Sequence, residues 1–428
     1  MIATAVDHGT SPGYHEIMTV RWAFRVRPGI SLRLINRVFE KLVKRHDSLR
    51  LQFVQQHSEW KAEILAKHPT GVSVHDLSTL SASEQNDVIL ETARHPMTAL
   101  SDPLFEMHLF RCGDAGDVVL TRAHHSIIDG YGVVVLIEDL IKFVINIPIM
   151  TRAVSHEQFI KIRETQTRQN AAQKTTFWEN RLLPPPRNLN IGRVAKNLPR
   201  MSSKTVAHST RLDDILTPEQ SGELAQHAKK TGSSTFAYLH AAFSNTLCDL
   251  ADSQEILVSS VIGRQNAELS TFIGAEMQEM LTRVRRSFTG IDQSAAQVSK
   301  DISEAAQALP TDIFFSQESR LSKELAAADI NGIRFFVHIL NPIGRMSNSP
   351  FHKLFSGAMS GKVSFGGFSI ERFDLPGTSE TISELFLSVH QTQHGPNASL
   401  VADSDAFDVD GLDRIAKLIR EQFAFLTV

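Results

Sequence analysis

The sequence has few cysteines and almost no net charge, and each scarcity excludes a class of protein. Only two of its 428 residues are cysteine. Cys112 and Cys248 lie far apart in apolar patterns and match no zinc or redox spacing, so we expect two free buried thiols. The net charge of -3 provides no global attraction to nucleic acid or anionic lipid. We therefore expect no nucleic-acid partner.

Long apolar runs and targeting signals are also missing from the sequence. The most apolar window, residues 133–150, is interrupted by Glu138, Asp139 and Lys142, which makes it too charged to span a bilayer. Residues 1–14 lack a basic segment followed by an apolar one, so no secretory signal is visible. These absences predict a cytoplasmic protein without a membrane span.

The length of the chain predicts two domains. One hydrophobic core usually stops growing at roughly 250–300 residues, and this chain has 428. Three consecutive prolines at 184–186 open a polar stretch that is the clearest linker. We place an N-terminal domain at 1–183, a linker at 184–204 and a C-terminal domain at 205–428. Two α/β halves of similar size suggest an old duplication, which the sequence alone does not prove.

Helices and strands alternate in both halves. Ser31 and Thr217 are predicted helix N-caps, with Pro218 in the first turn and Gly232 at a helix end. Residues 131–145 favour a buried helix, although their β-branched residues leave a strand as the alternative. Further helices are predicted at 34–43, 81–94, 177–182, 234–250 and 410–425. Strands are predicted at 18–26, 49–54, 60–65, 105–111, 118–123, 205–212, 256–262, 335–340, 362–368 and 385–389.

Residues 124–130, His-His-Ser-Ile-Ile-Asp-Gly, place two imidazoles, a carboxylate and a glycine in one turn after a predicted strand. Side chains alternate along extended backbone, so only one of the two histidines can easily face a cleft. Histidine suits a general base because its unperturbed pKa of about 6.5 lies near cellular pH. The following helix would direct its N-terminus at the site, which favours developing negative charge. The cluster alone is compatible with a hydrolase, a metal site or acyl transfer.

Other residues bear on those alternatives. Asp129 can orient an imidazole or pair with a distant arginine that fixes the loop, and we favour the second role. His390 and His394 share one face if their segment is extended, but no third ligand has suitable spacing, so no metal site is predicted. A G-x-S-x-G nucleophile motif is missing, which disfavours a serine hydrolase. An ordinary structural turn remains the alternative to a site at 124–130.

The motif His-His-x-x-x-Asp-Gly resembles the signature of chloramphenicol acetyltransferase and its doubled relatives. These relatives are the condensation domains of nonribosomal peptide synthetases and stand-alone acyltransferases. The length and central linker are similar to the two-domain branch. Residues 45–53 resemble the condensation-domain pattern R-H-x-x-L-R-x-x-F. Four further segments also resemble family motifs: Asp102 to Phe105, Phe177-Trp178, Gly263-Arg264 and Ile273-Gly274.

The resemblance implies two acetyltransferase-like α/β sandwich domains that form a V-shaped pseudo-dimer with an active-site tunnel between them. It identifies His125 as the catalytic histidine and His124 as a supporting residue. Gly130 would hold the turn, and Asp129 would form a structural salt bridge with Arg50. A thioester on coenzyme A or on a carrier protein's phosphopantetheine arm would donate an acyl group to a small amine or hydroxyl acceptor. The chain would act as a monomer, in trans to any carrier, without a permanently bound cofactor.

The sequence also departs from the family pattern. Residues 364–368 stand where D-F-G-W-G is usual, without its Asp or Trp, and residues 273–279 lack most of I-G-x-F-V-N-T. These losses put peptide-type condensation in doubt and leave ester or amide formation open. Asn341 to Gly344 resembles an S-N-x-G element of alcohol acyltransferases, although we interpret Asn341 as structural.

A different class of function also stays open from the sequence. Degenerate members of such families can act as catalytically idle scaffolds that bind a carrier protein. The intact histidine motif argues against this alternative. Arg283, Arg285 and Arg286 form a basic cluster that could meet an acidic carrier, or that could lie on a solvated strand face.

Overall fold

A computed structural model supplies the coordinates of the protein. It describes residues 12–57, 59–99, 103–186, 191, 206–262, 266–286, 290–308, 319–328, 335–339, 350–357, 359–423 and 425–426. The fold is mixed α/β with two large sheets and one separate hairpin. Among the described residues, no helix is long and apolar enough to cross a membrane.

The first sheet has six strands, drawn from both halves of the sequence. They are β1 (Thr19–Arg27), β4 (Ser73–Asp76), β5 (Phe105–Arg111), β6 (Asp117–His124), β11 (Lys362–Phe365) and β12 (Phe368–Phe373). Their order in the sheet is β11-β12-β1-β6-β5-β4. The central strand β1 is antiparallel to both of its neighbours, β6 and β12. A separate antiparallel pair consists of β2 (Leu51–Gln56) and β3 (Glu59–Ile64).

Three helices of the first half cover the two faces of this sheet with their apolar stripes. The helices of the first half are α1 (Pro12–Ile17), α2 (Leu32–Arg45), α3 (Ala82–Arg94), α4 (Gly130–Val144), α5 (His156–Arg168) and α6 (Ala171–Leu182). On one face α2 and α4 share a core that contains Val38, Leu42 and Leu136, and on the other face α3 contributes Ile89. Such burial is the main favourable term in folding.

The second sheet has seven strands, all from the second half. They are β7 (Ala207–Leu212), β8 (Glu255–Ile262), β9 (Gln278–Arg285), β10 (Phe335–Ile339), β13 (Glu380–Thr381), β14 (Leu385–Thr392) and β15 (Gly395–Asp403), in the order β13-β7-β15-β14-β10-β8-β9. The accompanying helices are α7 (Pro218–Thr231), α8 (Thr235–Ala251), α9 (Ile291–Gln307), α10 (Arg320–Ala327), α11 (Pro350–Ser356) and α12 (Val409–Glu421). Helix α8 lies in the centre of the second core, and twelve consecutive residues of it, 237–248, are buried.

The local predictions from capping chemistry are confirmed. Ser31 and Thr217 cap α2 and α7, and Thr217 forms the full capping box ahead of Pro218. Gly232 ends α7 in the left-handed conformation, with φ of 70°. Residues 131–145 are helical almost throughout, as α4, and not a strand. Both cysteines are free and buried, as expected.

The sequence missed elements whose patterns are weak. Helix α5 has no fully buried residue, so its apolar periodicity is faint. Strand β15 begins at Gly395 and Pro396, residue types that usually mark a turn. The turn lies just before them, because Thr392 pairs with Gly395, the first of the nine residues of the strand.

The chain crosses between the two sheets. The hairpin of β11 and β12 belongs to the second half of the sequence, yet β12 pairs with β1 in the first sheet. The proposed 205–428 domain therefore contributes two strands to the sheet of the 1–183 domain. Most of the proposed linker, residues 187–190 and 192–205, lies outside the described residues.

The two halves repeat one connection, from strand to helix. The neighbours β1-β6-β5 of the first sheet correspond to β7-β15-β14 of the second. Strand β6 ends at His124 and leads into α4, and β15 ends at Asp403 and leads into α12. Four residues separate the strand end from the helix cap in both cases, since the caps are Asp129 and Asp408. This shared geometry supports the duplication that the sequence suggests.

Buried histidines should make the fold sensitive to mild acid. Burial is the largest cause that lowers the pKa of His124, His240 and His338 to about 4. The unfolded chain, with histidine pKa near 6.5, binds more protons between pH 6.5 and 4, so stability falls as pH falls through that window. Each histidine then costs about 2 kcal/mol between pH 7 and pH 5. We expect the melting temperature to drop steadily from pH 7 to pH 5 at constant ionic strength, and a constant or rising value would contradict this account.

Candidate active site

The two adjacent histidines lie in different environments. His124 is fully buried, whereas His125 is half-buried at the exit of β6. The backbone N–H of His125 donates to the carbonyl of Met18 (2.7 Å), which fixes the backbone at this position against the start of β1. The expected alternation therefore holds: one imidazole enters the core and the other stays partly exposed.

His124 is a neutral structural residue at neutral pH. Its Nδ1 accepts the backbone N–H of Ser126 (3.2 Å) and lies 2.7 Å from the Ser126 hydroxyl. Burial, together with the electrostatic influence of His125 and His15, lowers the pKa of His124 to about 4. The neutral ring of His124, with Nδ1 as the acceptor, therefore stabilises the turn at Ser126.

Asp129 joins the two halves of the molecule. Its Oδ1 accepts the N–H of Gly132 (2.7 Å) and thereby caps α4. Its Oδ2 accepts the backbone N–H groups of Glu276 (3.0 Å) and Met277 (3.1 Å), which precede β9 in the second half. Its own N–H donates to the carbonyl of Gly274 (3.1 Å). One buried carboxylate therefore holds the turn, the helix and a segment of the other half together.

The predicted salt bridge between Arg50 and Asp129 is not formed. Arg50 ends a short 3-10 turn before β2, and its guanidinium is directed toward the β2–β3 pair. Nε donates to the carbonyl of Val43 (2.8 Å), and Nη1 donates to the carbonyl of Leu65. These backbone acceptors hold Arg50 away from Asp129, so its role is to fix the first-half hairpin.

The segment that begins at Arg45 instead fixes helix α4. Arg45 Nε (2.7 Å) and His46 Nε2 (2.9 Å) both contact Oδ2 of Asp139, a buried residue of α4. These contacts outweigh burial and hold the pKa of the Asp139 carboxyl below its ordinary value. Asp47 then accepts the N–H of His156 (2.9 Å) at the start of α5. The segment positions α4, whose first residue is Gly130.

Glycines permit the close approach of the two halves at this junction. Gly130, which the resemblance gave the role of holding the turn, is the first residue of α4. A Cβ at Gly132 would lie 2.9 Å from Ile128 Cγ1 and 3.4 Å from the backbone N of Gly274. A Cβ at Gly274 would collide with the ring of Phe272 at 2.2 Å. Ile273-Gly274, predicted as a family motif, therefore lies directly against the histidine turn.

The sequence analysis missed His338, a residue of β10 in the second sheet. Burial is the largest cause of the lowering of its pKa to about 4, and the charge of His125 also contributes. His338, from the second half, therefore lies within electrostatic range of His125. The only sequence signal for His338 is the alternation of residues 335–338. No motif includes this residue, and His125, which influences it, is distant in the sequence.

Several other predicted residues do not join this site. Arg283 forms a bidentate pair with Glu255 (2.6 and 2.9 Å), and Arg286 pairs with Asp249, so most of the basic cluster is neutralised. His390 contacts Asp214 (2.8 Å) and meets no histidine partner in the described part of the chain. Gly263, Arg264 and residues 341–344 lie outside the described residues.

Comparison with known proteins identifies the family. A family profile described as "Condensation domain" matches residues 11–278, which is more than half of the chain. The chain belongs to the condensation domain family. It is 25% identical to surfactin synthase subunit 1 of Bacillus subtilis (strain 168) over 270 residues, and 25% identical to tyrocidine synthase 3 of Brevibacillus parabrevis over 239 residues. The matches cover 60% and 55% of this chain but only 7% and 4% of the two synthases.

Solved structures share the whole architecture. SgcC5 from Streptomyces globisporus, in complex with a naphthyl ethanediol and sucrose, superposes with a TM-score of 0.74 at 18% identity, over 95% of this chain and 93% of SgcC5. The epimerization domain of tyrocidine synthetase B superposes with a TM-score of 0.76 at 16% identity, over 98% of this chain and 94% of that domain. A variant starter condensation domain of rhizomide synthetase, in complex with C8-CoA, superposes with a TM-score of 0.69 at 16% identity. The superposition covers 98% of this chain and 91% of that domain. The predicted two-lobed acetyltransferase-like fold is confirmed.

Asp129 and Asp408 both cap a helix, and Asp129 also binds the junction. Comparing variants of the two therefore distinguishes the stability that comes from capping from that of the junction contacts. Asp408 caps α12 through Gly411 (2.8 Å), just as Asp129 caps α4. Asp408→Ala should cost about 1 kcal/mol, the usual value of a cap. Asp129→Ala should cost about 2–4 kcal/mol, because the N–H groups of residues 276 and 277 also lose their acceptor. We expect a clearly larger fall in melting temperature for Asp129→Ala, and equal falls would show that the junction contacts carry no stability.

Proposed function

We propose that this condensation-family protein is an acyltransferase that moves an acyl group from a thioester to an amine or hydroxyl acceptor. His125 is the general base. The observation that carries the proposal is the position of His125 at the exit of β6, half-buried, in a turn that Asp129 fixes against the second half. A base held in one geometry at a junction of two lobes can act on two substrates that approach from different sides.

The environment of the turn supports base chemistry by His125 and not by His124. His124 is buried, and its Nδ1 is already occupied by the backbone N–H of Ser126 (3.2 Å). Helix α4 begins five residues after His125, and its N-terminus carries partial positive charge. That charge favours the negative charge that develops when a thioester carbonyl is attacked.

The transfer needs neither a metal nor a covalent enzyme intermediate. His125 takes the proton from the acceptor N–H or O–H as the acceptor nitrogen or oxygen bonds to the thioester carbonyl carbon. The resulting tetrahedral oxyanion collapses, and the carbon–sulfur bond breaks. The departing thiolate takes the proton back from His125, so the products are an amide or ester and a free thiol.

Relatives of the same fold support the donor and acceptor classes. The rhizomide starter domain is bound to C8-CoA, and SgcC5 is bound to an ethanediol, which carries hydroxyl groups. We propose an acyl thioester of coenzyme A or of a carrier protein's phosphopantetheine as the donor, with no permanently bound cofactor. A primary amine or an alcohol is the proposed acceptor.

The repeated turn of the second half supplies a matched control for the proposed base. Ser404 occupies the position that corresponds to His125, since its N–H also donates to the neighbouring strand (His208 carbonyl, 2.9 Å). His125→Ala should lower the transfer rate by about 10²–10⁴-fold, because a positioned base contributes that factor. Ser404→Ala should leave the rate unchanged. Intact-mass analysis of acyl-coenzyme A and acyl-carrier donors with amine and alcohol acceptors measures both.

Each outcome of that screen is informative. Melting temperatures of the two variants within about 2 °C of the parent would show that the fold is intact. A folded His125→Ala protein with undiminished transfer would remove His125 as the base. A parent protein that transfers no acyl group from any donor, but binds the carrier, would favour the idle scaffold.

A further inference from the structure

Strand β10 presents alternate residues to the two faces of the second sheet. Phe335 and Val337 are buried in the core of the second half. Phe336 and His338 therefore lie on the opposite face, where both remain partly exposed. This face of the central strands is not filled by the helices of the second core.

Aromatic contacts fix the ring of His338 on that face. Its centroid lies 5.9 Å from the ring of Phe336, nearly parallel to it, and 5.6 Å from the ring of Phe386 on β14. The two phenylalanine rings are also in contact, at 5.2 Å. A ring held by two others loses little freedom when a substrate binds, which is the condition for a positioned group.

The side chain of His338 is largely buried but keeps some solvent-exposed surface. The residue is only partly exposed, and burial is strong enough to keep its imidazole neutral at pH 7, with a pKa of about 4. The electrostatic influence of His125 also contributes to that lowering, so the two histidines lie within interaction range of each other. His338 therefore combines partial exposure with proximity to the proposed base.

The two ring nitrogens of His338 differ in environment. Nδ1 is buried and has no hydrogen-bond partner among the described residues, whereas Nε2 is not a buried atom. A proton on Nδ1 would be buried without an acceptor, which costs about 1–3 kcal/mol. The proton of the neutral ring therefore resides on Nε2, which leaves an N–H donor on the less buried side of the ring.

We propose that His338 is a second active-site histidine, which donates a hydrogen bond from Nε2 to the thioester carbonyl oxygen as that oxygen becomes an oxyanion. The inference rests on the proposed acyl transfer and assigns its oxyanion donor. His125 moves the proton and His338 binds the oxygen, one residue from each lobe. A neutral imidazole keeps its proton throughout, so it stabilises charge without competing for the proton that His125 carries.

Two substitutions at this position separate hydrogen bonding from packing. His338→Phe keeps an aromatic ring between Phe336 and Phe386 but has no donor. His338→Gln retains an N–H donor without the ring. The assay measures thiol release from octanoyl-coenzyme A with a primary amine or water as acceptor. His390→Phe is the control, because His390 lies on the neighbouring strand and contacts Asp214.

We expect His338→Phe to lower kcat by about 10²–10³-fold, the usual effect of losing one oxyanion donor, with KM changed less than about threefold. His338→Gln should recover at least about tenfold of that loss, and His390→Phe should stay within about twofold of the parent. Circular dichroism and melting temperature confirm that each variant is folded. If His338 acted only through packing, the His338→Gln variant would not be expected to recover kcat.

Other results would overturn the assignment. A folded His338→Phe protein with parental kcat, or one in which KM rises while kcat is unchanged, would show that His338 does not act on the transition state. If the parent releases no thiol from octanoyl-coenzyme A or from any donor in the wider screen, the acyl-transfer function itself fails. Loss in His125→Ala but not in His338→Phe would leave the base in place and remove only the oxyanion donor.

Discussion

The carboxylate of Asp129 is the contact on which the geometry of this site depends. It accepts the N–H of Gly132 at the start of α4 and the N–H groups of Glu276 and Met277 from the second half. Because Asp129 is almost fully buried, each of these groups would otherwise lack a strong acceptor away from water. The position of His125, four residues earlier, is thus set by both halves at once. A change in the relative placement of the lobes would move the base.

The repeated turn shows how a common scaffold acquires different roles. Both turns use an aspartate cap and a backbone hydrogen bond to the neighbouring strand. The first carries His125 where the second carries Ser404, and the first carboxylate also binds the other half. Capping belongs to the fold, whereas the imidazole and the junction contacts belong to the site. The second half contributes chemistry from a different element, β10, through His338.

The sequence predicted well what depends on neighbouring residues. Ser31, Thr217 and Gly232 act within a few residues of themselves, so their patterns predicted helix ends that the structure confirms. The motif at 124–130 likewise predicted one buried and one accessible histidine. Contacts between distant segments could not be predicted this way. The family resemblance predicted a salt bridge between Arg50 and Asp129, whereas Arg50 donates to two backbone carbonyls instead. The β11–β12 hairpin joins the first sheet, and His338 comes within electrostatic range of His125, only because of how the whole chain is packed.

Hydrogen exchange at single amides tests the claim that Asp129 links the lobes. In the parent protein, the amides of Gly132, Glu276 and Met277 should be protected, since all three donate to the same carboxylate. In Asp129→Ala, which removes both carboxylate oxygens, exchange should accelerate at residue 132 and also at residues 276 and 277, while Gly411, capped by Asp408, should be unaffected. Acceleration confined to residue 132 would contradict the account, because it would mean that the second half is held by other contacts.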